Sequence, residues 1–68
     1  MSTVQQLSSL LVTAASDLRC AGSLIDALAD RLPEELSGRI SKVAANYKAQ
    51  AVRYEDIAHA CTELEAAK

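Results

Sequence analysis

The stretch from Val4 to Pro33, VQQLSSLLVTAASDLRCAGSLIDALADRLP, decides the fold. Val4, Leu11, Leu18, Ile25 and Leu32 recur every seven residues. Leu7, Ala14, Ala21 and Leu28 form a second series three positions after the first. Alternating spacings of three and four are the heptad signature of helices that pack along a seam. The phase breaks at Leu32-Pro33. Beyond it the pattern resumes as Ile40, Tyr47, Tyr54, Cys61 and as Val43, Gln50, Ile57, Leu64. Proline disfavours the α conformation in the residue before it, so a boundary falls there.

The chain is therefore expected to be a single all-α domain over residues 1–68. Helix 1 spans about 3–31 and starts at a Ser2 or Thr3 cap. A joint with a short helical turn covers 32–37, and helix 2 spans about 38–66. A single second helix starting at Pro33 is the main alternative. Pro33, Glu34 and Glu35 suit a helix N-terminus in either case. Two segments of similar length with a short joint imply an antiparallel hairpin. Its pivot is placed near residue 36.

Positions beside the seam sharpen this picture. Ser8, Ala15, Gly22 and Ala29 follow the second series by one residue, and Ala44, Ala51 and Ala58 hold the same place in helix 2. Small residues at one heptad position on both helices let the backbones approach closely. Gly22 costs about 1 kcal/mol in a helix interior, which a close contact would explain. Ser9, Ser16, Ser23 and Asp30 form a polar stripe read as the solvated side. The seam itself is assigned to Val4, Leu7, Leu11, Leu18, Ile25, Leu28, Ile40, Val43, Ile57, Cys61 and Leu64.

Leu10, Val12, Leu24, Ala45, Ala49 and Val52 add apolar surface outside that seam. The stripe is wider than two helices bury in each other, so a second copy or a partner should cover the rest. A homodimer forming a four-helix bundle is the expected solution, with a helix-donating heterologous partner as its competitor.

Composition bounds the function. The 68 residues are half hydrophobic, with no Phe or Trp and only Tyr47 and Tyr54 aromatic. A chain this short buries a limited core alone. The net charge of −2 gives no general attraction to nucleic acid or anionic membranes. No apolar run approaches the roughly 20 residues of a membrane span, and the N-terminus lacks the pattern of a secretion signal. A cytoplasmic protein that acts without a membrane is the simplest expectation.

No catalytic, metal or cofactor motif stands out, and the chain reads as a non-enzyme without a cofactor. Cys20 and Cys61 are read as reduced thiols, because a pivot near 36 sets them about 13 Å apart along the hairpin. His59, with Asp56 and Glu63 three before and four after, reads as part of a solvated charged face. Arg39, Lys42, Lys48 and Arg53 lie in a stretch free of acids. Arg39, Asn46 and Arg53 share one heptad position, making a basic ridge beside Tyr47 and Tyr54. The ridge suits an acidic protein surface or a phosphate backbone. It equally suits pairing with Asp17 and Asp26 of helix 1. Gln50, the one polar residue of its series, fits a register-fixing role or a hydrogen bond to Tyr47 or Tyr54 of a neighbouring chain.

In length and small-residue seam positions the chain resembles the Rop-type RNA-binding dimers. In size and topology it is similar to the small hairpin co-chaperones of type III secretion needle subunits. It also looks like the compact helical dimers among phage-encoded inhibitors of host proteins. The resemblance covers the architecture of the whole chain without a diagnostic motif, and no residue role follows from it. A noncatalytic protein-binding module is the expected function: an inhibitor, adaptor or co-chaperone. Arg39, Lys42, Asn46, Tyr47, Arg53 and Tyr54 are its candidate contact residues. A small RNA- or DNA-binding regulator that uses the Arg39–Arg53 ridge is the alternative.

Overall fold

The computed structural model of the chain describes residues 2–67. Two helices fill it, α1 (Thr3–Ala29) and α2 (Glu34–Ala66). They pack against each other as an all-α hairpin, 53 Å long and 15 by 11 Å across. No helix among the described residues is long and apolar enough to cross a membrane.

Ser2 caps α1. Its side chain accepts from the Gln5 backbone while the Gln5 side chain accepts from the Ser2 backbone. Each bond satisfies a backbone donor that the helix start leaves open. The Ser2 hydroxyl also bonds Glu65, tying the N-terminus to the end of α2.

The joint is shorter than the sequence suggested. α1 ends at Ala29 rather than near residue 31, and residues 30–33 make the connection. Pro33 is the N-cap of α2, with extended backbone at φ −56° and ψ 150°. Its carbonyl accepts from the Leu36 and Ser37 amides. The expected separate turn at 33–37 is thus the first turn of α2, and helix 2 begins at Glu34 instead of near 38. Gly38 does not interrupt it. A helix tolerates one interior glycine for about 1 kcal/mol, and Glu34 and Glu35 favour the N-terminus.

The centre of the hairpin is made of small residues. Ala15, Gly22 and Ala29 of α1 and Ala44, Ala51 and Ala58 of α2 are the buried residues of the two helices. Among the described residues no large side chain is fully buried. At Gly22 a β-carbon would lie 3.1 Å from the Ala44 carbonyl oxygen, 3.1 Å from Lys48 Cγ and 3.5 Å from Tyr47 Cβ. At the other end the Ser8 hydroxyl donates to the Ala58 carbonyl at 3.3 Å. These contacts centre the hairpin at about Glu34, some two residues before the expected pivot near 36. The two backbones approach along one column, and most of the larger apolar residues lie to one side of it.

Candidate functional site

The small column divides the hairpin into two unlike faces. Residues four positions after the column members form one edge: Val12, Arg19 and Asp26 on α1, and Lys48, Glu55 and Thr62 on α2. This edge is polar. Arg19 binds Glu55, with its Nε donating at 3.0 Å. Lys48 Nζ lies 3.5 Å from Asp26 Oδ2. The Ser8 and Thr62 hydroxyls are 3.5 Å apart. Of the expected ridge-to-helix-1 pairs, Lys48–Asp26 forms. Among the described residues Asp17 makes no ion pair, and the other pair between the helices is Arg19–Glu55.

The opposite face carries the heptad series. The first series (Val4, Leu11, Leu18, Ile25 and Ile40, Tyr47, Tyr54, Cys61) is half-buried along the groove beside the column. In the second series, Leu7, Leu28, Val43, Ile57 and Leu64 are exposed. The assigned seam is therefore not the core of the hairpin. It is the wall of an open apolar face, because the small column alone occupies the line of closest approach. Ile25, Leu28, Leu32, Ile40 and Val43 line one concave stretch of it near the joint. Val4 and Cys61 meet at a second hollow near the open end.

Gly22 lies against Ala44 and Lys48, and Ser8 against Ala58 and Thr62, so residues whose numbers sum to about 68 stand level and the face reads as pairs across the two helices. Val4 is level with Leu64, Leu7 with Cys61, and Leu11 with Ile57. Ala14 is level with Tyr54, Leu18 with Gln50, Ala21 with Tyr47, Ile25 with Val43, and Leu28 with Ile40. The two alanines of the series thus stand across from the two tyrosines. Among the described residues, no hydrogen bond engages the Gln50 amide or either tyrosine hydroxyl.

The candidate contact residues fall into two groups. Tyr47 and Tyr54 are half-buried on the apolar face. Arg39, Lys42, Asn46 and Arg53 are exposed, with Arg39, Asn46 and Arg53 in a row along the outer border of that face. Leu10 and Leu24 hold the corresponding border of α1 and are 68% and 66% exposed. The polar stripe of Ser9, Ser16, Ser23 and Asp30 is exposed.

The remaining chemistry-bearing groups stay apart. Cys20 is exposed and Cys61 half-buried, both free thiols. With the hairpin centred at about Glu34, Cys20 stands across from about residue 48, roughly 20 Å from Cys61. His59 Nε2 lies 3.1 Å from Glu63 Oε1, one turn along the exposed helix surface. Among the described residues, no three His, Cys, Asp or Glu groups converge as metal ligands.

Sequence reasoning missed the Arg19–Glu55 bridge. Its signal was the spacing of four from Ala15 and from Ala51, which puts both residues on one edge. No family model matches the chain, nor does any curated protein or solved structure.

Proposed function

We propose that the protein is a noncatalytic interaction module. It self-associates through its apolar face into a four-helix bundle. It then offers the remaining helical surface to a target protein whose availability it alters, as an inhibitor, adaptor or co-chaperone does. One observation carries this reading: among the described residues the hairpin buries only alanines and a glycine, while most of its leucines, isoleucines and valines line an open face. A face of that kind is an association surface or an aggregation liability. The borders of the face stay outside such a bundle. Leu10 and Leu24 would supply apolar contacts to an amphipathic target helix, and Arg39 and Arg53 would supply charge.

A second reading, a small nucleic-acid-binding regulator, is favoured by the state of the ridge. Arg39, Lys42 and Arg53 take part in none of the ion pairs among the described residues. They remain available to phosphates.

Affinity capture from the native cell, with and without nuclease and at rising salt, tests the two readings. Recovery of a defined protein that survives nuclease and responds weakly to salt supports the first. Binding that falls steeply with salt and vanishes in Arg39→Glu/Arg53→Glu indicates phosphate contacts, because each neutralised phosphate releases counterions.

A further inference from the structure

The uncovered face carries information about how a second copy would sit on it. The whole hairpin is 53 Å long and 15 Å wide, so a second copy laid along it covers roughly 800 Å² in projection, about the area per partner of a standard specific interface. Two orientations bring the faces of two hairpins together with twofold symmetry. In one, the axis runs along the hairpin, the joints lie at the same end, and α1 packs on α2 of the second copy. In the other, the axis crosses both helices at mid-length, the joints lie at opposite ends, and each helix packs on its own counterpart.

The level pairs decide between them. With the axis along the hairpin, each residue faces the partner of its own level. Gln50 then faces Leu18, and Tyr54 faces Ala14. The amide is left against a hydrocarbon, although a buried polar group without a partner is costly. Two-tyrosine layers also alternate with layers of leucine. The axis across the helices has more than one possible crossing point; at about Ser16 and Val52, two residues past the middle of α2, the levels exchange about that crossing. Gln50 of each copy then faces Tyr54 of the other, twice per dimer, and Leu18 faces Ala14. Amide meets hydroxyl, and the layers become more nearly equal in volume, as close packing requires.

The rims weigh the other way. Asp17 and Arg53 lie near this axis and approach their own symmetry mates. Both are exposed, where charge interactions are weak and screened, so the core terms prevail.

We infer that a second copy of this chain covers the apolar face with the joints at opposite ends, in a register set by Gln50 of each copy against Tyr54 of the other. This inference rests on the proposed homodimer and specifies its geometry. Gln50, the one polar member of its series, becomes a register-fixing residue, a known use of a polar group in a helical seam.

Engineered disulfides test the geometry in the full chain. In this arrangement Val43 faces Cys61 of the second copy. Within one chain the two positions are 18 residues apart along α2, roughly 27 Å, and cannot bond. Cys20→Ser/Val43→Cys, oxidised by a glutathione redox pair, should convert most of the chain to a covalent dimer on a non-reducing gel. Cys20→Ser alone should remain single. A second pair, Ile40→Cys with Leu64→Cys in a chain lacking both native cysteines, should link likewise. Sedimentation of the unmodified protein separates the two ways of failing. A dimer by mass that neither pair cross-links overturns the geometry, whereas a folded monomer overturns the homodimer on which it rests.

Discussion

Gly22 lies against the backbone of Ala44, with room for no β-carbon beyond 3.1 Å from the Ala44 carbonyl oxygen. This contact holds the two helices at alanine-limited distance. It is also the reason the larger side chains lie on a face rather than between the helices.

Gly22→Leu is expected to destabilise the protein by about 1–3 kcal/mol through overpacking, even though leucine is the better helix former by nearly 1 kcal/mol. Chemical denaturation at fixed protein concentration measures it. A gain in stability would mean that the helices are not in backbone contact at this level.

Gly38 gives the opposite expectation. It lies inside α2 and a β-carbon there meets nothing within 4 Å. Gly38→Ala should raise stability by about 0.5–1 kcal/mol, from helix propensity and reduced unfolded-state freedom. A loss on thermal or denaturant unfolding would count against an unbroken α2.

These two glycines mark how far the sequence was legible. The heptads located both helices and the hairpin, because the period of apolar residues is the strongest local signal. The second helix was expected from about residue 38, after a separate turn, with a start at Pro33 as the alternative. Yet Pro33 alone supplies the cap and the turn. The small column was visible as a repeat, but its rank was not. Apolar bulk points to Leu and Ile as the core, whereas closest approach selects Ala and Gly. The pivot, set by the cap, was misplaced by a few residues, and that hid the level pairing of Tyr54 with Ala14 and of Gln50 with Leu18. The basic ridge was found as a row, but among the described residues its arginines meet no acid, and Lys48, on the other edge, is the one that pairs with Asp26.

The polar edge should matter little to stability. Arg19 and Glu55 are both about half exposed, and such pairs contribute roughly 0.2–1 kcal/mol. A double-mutant cycle with Arg19→Ala and Glu55→Ala should give a coupling below about 1 kcal/mol that shrinks with added salt. A much larger coupling would show that this edge is dry, and therefore that it too is covered by a partner.

Charge placed on the apolar face should act through association. Ile57 is 51% exposed in the hairpin, so Ile57→Asp adds little strain within one chain but would place a carboxylate inside a bundle, where an unpaired charge is strongly unfavourable. Leu18→Asp, at a half-buried position, should have the larger effect. Both variants should unfold at lower temperature with a loss of concentration dependence, read by circular dichroism at several protein concentrations. His59→Ala, on the exposed surface, should leave helicity and melting unchanged. An Ile57→Asp protein as stable and as associated as the parent would remove the face from the assembly.

Sedimentation equilibrium of the pure protein at micromolar concentration tests the central claim most directly. The apolar face requires cover, so the account predicts a species of twice the 7.2 kDa chain mass that dissociates in Ile57→Asp. A well-folded monomer at that concentration would contradict it.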